Sequence, residues 1–275
     1  GIPLSIRTLL LSLNRDLLSS DENIINDKIN LFFHEPPEPG AGTQTVLLNS
    51  FLILDNESLL IIKAASCIGL CFKADLLGQI ISLSEKRVKT RLKSLIRDGL
   101  IIQMEDDYFF YHDRIRETAY SLLSEYAKKE IHKKIGNLLL STGEEKSHDY
   151  IFEAANHLNK SAEHPSPDEK KELFVVNYMA GKSAFSAGAF SEARYYLKIA
   201  DSYIDELKGS LEHKLLINFY NILAESEYLI GNFDETDNII ERAILKVQSP
   251  LEHALFLSIK LTKDTIADSY ISSIE

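Results

Sequence analysis

Long apolar runs, a cysteine framework and the familiar catalytic signatures are all missing from this chain. No stretch of 18 apolar residues occurs, so no segment has the pattern of a membrane-spanning helix. The N-terminus does not have the pattern of a secretory signal either. The two cysteines, Cys67 and Cys71, are four apart in a segment that reads as helical. That spacing puts them on one face, where both are expected to pack as small apolar groups. A zinc site would need two more ligands nearby, and none is in view. So little cysteine fits the cytosol. The chain starts Gly1-Ile2-Pro3 with no initiator Met, as expected of a piece cut from a longer protein.

No GxxxxGK(S/T) phosphate loop, GxSxG elbow, HExxH helix or GxGxxG loop occurs. Eight histidines are scattered, and His132, His157 and His213 fall on helical segments. They are expected to be surface or satisfied core residues. The carboxylates are spread over helices and read as solvated faces. No catalytic constellation is complete, so the chain is expected to be no enzyme by itself and to hold no cofactor or metal. Positive charge is also in short supply. Lys and Arg total 30 against 41 Asp and Glu, a net charge of -11 in 275 residues. Such a chain is a poor general binder of nucleic acid or anionic membrane.

What is present is mostly helical periodicity. LSIRTLLLSLNRDLL (4–18) spaces its apolar residues as an amphipathic helix, and INLFF (29–33) reads as a short strand. Three prolines and two glycines make 34–44 a loop. Helical pattern returns at 46–53. Asp55 or Asn56 then caps a helix over 57–68. A short helix over 73–81 follows. After Ser84, an N-cap residue, comes a helix over 85–97 with Val88, Leu92, Leu95 and Ile96 inward and Gly99 beyond its end. LIIQM (100–104), the acidic turn EDD and YFFYH (108–112) form a β-hairpin. Three helices and a two-stranded wing make a winged-helix domain.

From Arg114 on, helices alternate with breaks at 142–143, 164–169, Gly188, Gly209, 231–232 and 249–250. That pattern predicts antiparallel helix hairpins side by side. GAFSEARYYLKIA (188–200) aligns with GNFDETDNIIERA (231–243) at a constant offset of 43. Gly188 matches Gly231, Phe190 matches Phe233, Leu197 matches Ile240 and Ala200 matches Ala243. Gly181, seven residues before Gly188, is a further small residue in this pattern. This resembles the second-helix half of a tetratricopeptide repeat, with helices longer than usual or the repeat degenerate; an ordinary helical bundle with coincident spacing is the other expectation.

Two short stretches could carry function. In SEKRVKTRLKSLIRDG the cations Lys86, Arg87, Lys89, Arg91, Lys93 and Arg97 outnumber Glu85 and Asp98. This is the position of a DNA-recognition helix in a winged helix, though the acidic wing turn would repel DNA. The bland reading is a solvated face or one that pairs with acidic neighbours. In FFYHDRIRETAY (109–120), His112-Asp113 lacks a nucleophile and lacks the partners of a metal pair. Asp113 is expected to cap the helix that starts at Arg114, which leaves His112 unexplained.

YHDRIRETAYSLLSE (111–125) and KKEIHKKIGNLLL (128–140) resemble FxHDRVQEAAYSLIPE and HLxIGRLLL. Those segments belong to large bacterial and fungal signalling proteins with a STAND-class ATPase module. In them a Ser/Thr-kinase-like domain often precedes the ATPase, and histidine-kinase or cyclase domains often follow. AANHLN (154–159), NYMAGKSAFSAGAFSEARYYLKIA (177–200), GIPLSIRTLLLSL (1–13) and LLIIKAASCIGLCF (59–72) are similar to further segments of that family in the same order. In the related NB-ARC-type ATPases a GLPLA motif packs its Pro on adenine. An MHD motif ends their winged helix, and its His meets the β-phosphate of ADP. Gly1-Ile2-Pro3-Leu4 matches the first motif and Tyr111-His112-Asp113 the second, with Tyr111 in place of Met.

The resemblance implies a mainly α chain: an ATPase lid end (1–33), a Pro/Gly loop (34–44), a winged helix (45–113) and tetratricopeptide-like repeats (114–275). It implies nucleotide sensing by His112 and Pro3 in the full-length protein, which binds ATP or ADP. It also implies a protein partner, or the protein's own domains, for the repeats, and a cytoplasmic location. A winged-helix transcriptional regulator using helix 85–97, or a plain helical-repeat scaffold, are the other expectations. Nucleic acid and membrane are not expected partners.

Overall fold

A computed structural model describes residues 51, 53–142, 150–207 and 209–274, with side chains described as far as residue 265. Expectations for the lid end, Pro3, the strand at 29–33, the Pro/Gly loop and nearly all of the helix at 46–53 lie outside the described residues. The described part is mainly helical with one small three-stranded antiparallel sheet. The chain divides into two compact units, Gly1–Ile135 and Gly136–Glu275.

In the first unit, α1 (Asn56–Ile68) starts where Asp55 turns its carboxylate back on the first turn. Asp55 Oδ1 accepts from the Glu57 and Ser58 amides at 3.1 and 3.0 Å, satisfying two orphan donors. The chain then runs β1 (Cys71–Lys73), α2 (Ala74–Ile81), α3 (Glu85–Arg97), β2 (Ile101–Met104), β3 (Asp107–Phe110) and α4 (Asp113–Ser121). Ser84 is the N-cap residue of α3, although its side chain makes no capping bond. One core joins these elements: Ile61 and Ile62 of α1, Leu77 of α2, Val88, Leu92 and Leu95 of α3, Ile101 and Phe110 of the sheet, and Ile115 of α4. The inward residues of α3 at 88, 92 and 95 are spaced as one helix face requires.

The sheet order is β1-β3-β2, with Cys71 opposite Phe109 and Ile102 opposite Phe109 on the other side. The hairpin β2–β3 is where the sequence placed it; β1 is not. Cys71 was expected on a helix face beside Cys67, but α1 stops at Ile68 and Cys71 opens a strand. Cys67 is buried and Cys71 is exposed. The physical reason is Gly69, which ends the helix and lets Leu70 turn its carbonyl to the Phe110 amide at 3.1 Å.

The second unit starts within α5 (Glu125–Thr142) and continues through α6 (Tyr150–Ser161), α7 (Pro167–Ser186), α8 (Phe190–Ile204), α9 (His213–Leu229), α10 (Phe233–Ile244) and α11 (Pro250–Ile274). The expected break at 164–169 is a full capping box. Ser166 Oγ accepts from the Glu169 amide, the Glu169 carboxylate accepts from the Ser166 amide at 2.7 Å, and Pro167 takes the first helical position. The matched glycines Gly188 and Gly231 close α7 and α9 in the same way. Each has φ near +80° (76° and 85°), and the two amides from each glycine onward bond back to the last helical turn.

Hairpins α7/α8 and α9/α10 stack in series. Each first helix meets its own second helix, α8 meets α9, and α10 meets α11. The first helices also meet one another, α7 with α9 and α9 with α11. The aromatic rings of Phe174, Tyr178 and Phe219 fill the space between α7 and α9. A Cβ on Gly181 would stand 2.5 Å from Leu197 Cγ, so α7 and α8 cross where only hydrogen fits. At an offset of 43 from Gly181 stands Ala224, fully buried on α9.

A further crossing of the same kind lies outside the offset of 43. A Cβ on Gly136 would stand 2.6 Å from Leu158 Cγ and 3.2 Å from the Ala154 carbonyl oxygen. Gly181 has the same relation to Leu197 and to the Ala193 carbonyl oxygen, again at 3.2 Å. Thus α5/α6 repeats the α7/α8 crossing.

Candidate functional site

The junction between β3 and α4 is the first candidate. Phe110 and Ile115 are anchored in the core, while residues 111–114 between them are exposed. Tyr111 donates its amide to the Leu100 carbonyl at 3.0 Å, fixing the exit from the sheet. His112 follows in extended conformation, with φ -151° and ψ 145°.

The expected cap Asp113 is not the cap. His112 is the N-cap residue: its Nδ1 accepts from the Arg114 amide at 3.2 Å, and its carbonyl accepts from Ile115 at 2.9 Å. Asp113 is the first helical residue and pairs with Arg116 Nε at 3.1 Å. Its charge still favours the helix N-terminus. An imidazole nitrogen that accepts carries no proton, so on the neutral ring Nε2 is the donor. His112 thus has one nitrogen spent on the fold and one directed elsewhere.

The basic helix α3 is the second candidate, and its charges are largely engaged within the unit. Arg87 pairs with Glu57 of α1. Arg91 meets the same carboxylate twice, through Nε at 2.9 Å and Nη2 at 2.8 Å, and approaches Asp55 at 3.6 Å. Burial alone would raise the Glu57 pKa, but the two guanidiniums hold it below the usual carboxylate range. Lys89 pairs with Glu85 one turn back at 2.6 Å. Lys86 and Lys93 are exposed. Three of the six cations of this helix are therefore already paired within the unit, which suits the bland reading of α3 better than a phosphate-gripping face.

The third candidate is the helical array. Ion pairs clip consecutive hairpins together. Glu227 of α9 is fully buried and takes both Arg194 Nε bonds at 2.9 Å, the Asn232 amide at 2.7 Å and Lys198 at 3.5 Å. Lys198 also pairs with Glu235, and Arg242 grips Asp201 with two guanidinium nitrogens at 2.6 and 2.9 Å. Hence α8 and α10 are joined by long charged side chains, whereas α7, α9 and α11 pack directly in series. Sequence reading placed the carboxylates on solvated faces, and Glu227 is the exception. Its only signal was a charge amid the apolar positions of α9.

The other sequence-singled histidines are accounted for. His132 is buried with Nε2 3.1 Å from the Tyr120 hydroxyl, His157 is buried, and His213 meets Glu252 at 3.0 Å. Among the described residues no cluster of three or more His, Cys, Asp or Glu could hold a metal ion, and no helix is long and apolar enough to cross a membrane.

No protein-family model matches the chain. Hybrid signal transduction histidine kinase G of Dictyostelium discoideum is 25% identical over a 259-residue alignment that covers 71% of the chain. The chain spans 8% of the length of that relative. Among solved structures, a Signal Transduction ATPase with Numerous Domains (STAND) protein with a tetratricopeptide repeat sensor from Pyrococcus horikoshii is similar at 15% identity and a TM-score of 0.45. The match covers 96% of this chain and 44% of that one.

Proposed function

We propose that this chain is a regulatory and interaction region of an ATP-dependent signal-transduction protein, and is not itself catalytic. In this reading residues 45–113 are a winged helix that gates a neighbouring nucleotide-binding domain. Residues 114–275 are a tetratricopeptide-like array that receives a partner protein or the protein's own domains. ATP or ADP belongs to the neighbouring domain, with Pro3 on the adenine side, and the whole works in the cytoplasm. The kinship with a hybrid signal transduction histidine kinase supports the signalling setting.

The observation that carries the nucleotide part is the placement of His112. It is exposed at the end of the sheet, its Nδ1 is held by the α4 cap, and its Nε2 is the donor left over. A charge-assisted bond from such a donor to a diphosphate contributes ~1.5–3 kcal/mol. The bond exists only while the winged helix lies against the nucleotide domain. A third phosphate that displaces it removes the term and shifts the population toward the open state. The test is the nucleotide content and signalling output of full-length protein carrying His112→Leu. Lost ADP retention with raised output supports the reading, and wild-type retention and output sink it.

A further inference from the structure

The outer face of the sheet has an unusual content. Alternation along the strands turns Phe72, Tyr108, Phe110 and Ile101 inward, where all are buried. The opposite face carries a row across all three strands, Cys71, Phe109 and Ile102, in direct register. Next to it lies the row Lys73, Asp107 and Met104. Met104 is 60% exposed, Ile102 36%, and Cys71 is exposed. Tyr111, just beyond β3, is 39% exposed.

Both outer strands, β1 and β2, are sheet edges. An exposed edge with apolar side chains on its open face invites pairing, and proteins usually blunt it with charge or cover it. Here the charge sits to one side. The 105–107 turn, Glu105-Asp106-Asp107, is acidic, and Lys73 stands opposite Asp107 alone. The face is thus apolar at its centre and acidic at one end.

We propose that this outer face, built from Cys71, Ile102, Met104 and Phe109, docks another domain of the full-length protein, one whose surface is apolar at its centre and carries Lys or Arg opposite Glu105 and Asp106. Charge complementarity selects that partner over a second copy, because two chains of net charge -11 repel. It also selects against nucleic acid, which the acidic turn repels. The proposal stands apart from the nucleotide reading of His112, since the face can be covered whether or not a phosphate is sensed.

Cys71 is a built-in probe, because the chain's other cysteine, Cys67, is buried. The experiment compares maleimide labelling of Cys71 in the 275-residue chain and in the full-length protein. A face covered most of the time should slow labelling about tenfold in the full-length protein. Ile102→Asp with Met104→Asp should restore the rate, and Glu105→Lys with Asp106→Lys should raise it toward that of the shorter chain. All four positions are exposed, so circular dichroism should show an unchanged fold. Equal rates in the two proteins would overturn the proposal. So would protection that the substitutions leave intact, or protection of the 275-residue chain that grows with its own concentration. The His112→Leu protein separates the two claims: Cys71 protection that survives loss of ADP keeps the docking face and confines any failure to the nucleotide reading.

Discussion

Gly181 of α7 rests against Leu197 of α8 so closely that an added Cβ would come within 2.5 Å of the leucine side chain. The Ala193 carbonyl oxygen, part of the α8 backbone, would lie 3.2 Å away. Gly181→Ala therefore pits helix propensity against packing. Alanine favours a helix interior by roughly 1 kcal/mol over glycine. Overpacking at a rigid crossing costs about 1–3 kcal/mol. With Leu197 fully buried, packing should win. Urea titration should show a net loss of about 1 kcal/mol, and a more stable variant would mean the helices can move apart.

Glu227→Ala tests the clasp between hairpins. It removes a fully buried carboxylate and leaves Arg194 and Asn232 without their acceptor. Arg194 is 43% exposed and can recover water, so the loss should be about 1–3 kcal/mol rather than the larger figure for a wholly buried pair. Thermal unfolding followed by circular dichroism measures it, and a change below ~0.5 kcal/mol would mean the clasp is ornamental.

Acid should loosen the same array. Lys198 holds the Glu235 pKa below its usual 4.5, and the Gln248 amide, aided by His213, does the same for Glu252. A depressed folded pKa contributes stability that is present above the unfolded value and lost as pH falls through the folded one. Stability should be level from neutrality down to about pH 5 and fall below it. Glu235→Gln should flatten that fall. An unchanged pH profile would show that other carboxylates carry it.

The turn residue Glu105 has φ +54°, a left-handed conformation that an L side chain adopts at a cost. Glu105→Gly should remove that strain and stabilise the chain by about 0.5–1 kcal/mol, after the entropy glycine loses on folding. Equilibrium denaturation reads the difference directly, and a destabilised variant would show that Glu105 makes a contact worth more than its strain.

Duplex DNA should not bind at physiological salt. Arg87 and Arg91 are committed to Glu57, and Lys89 to Glu85. Fluorescence anisotropy against salt tests this. Binding that is lost when Arg87 and Lys89 are replaced would favour a transcriptional regulator instead.

Much of this fold could be read in the residues themselves. The Ser166-Pro167-Glu169 box, the β2–β3 hairpin and the Gly188/Gly231 pair each carry a local signature, and each is where that signature put it. The third strand had none, because three residues show no periodicity and Cys71 at four from Cys67 imitates a helix face. The α5/α6 crossing was hidden by its spacing. Gly136 and Ala154 are 18 residues apart, whereas Gly181 and Ala193 are 12, so a fixed offset cannot align them. At the candidate site, Asp113 looked like the cap because carboxylates usually cap. Yet the imidazole one position earlier reaches the Arg114 amide first.

That division of labour within His112 makes the central claim testable by one comparison. Asn at this position can keep the cap through its side-chain oxygen, but the amide donor it retains sits on a shorter side chain and falls short of where the imidazole Nε2 reaches. ADP retained after purification should be measured on full-length wild type and full-length His112→Asn, together with the melting temperature of the 275-residue chain. The account predicts unchanged melting within about 1 °C and marked loss of bound ADP. Wild-type ADP retention in His112→Asn would contradict it and leave His112 as a helix cap.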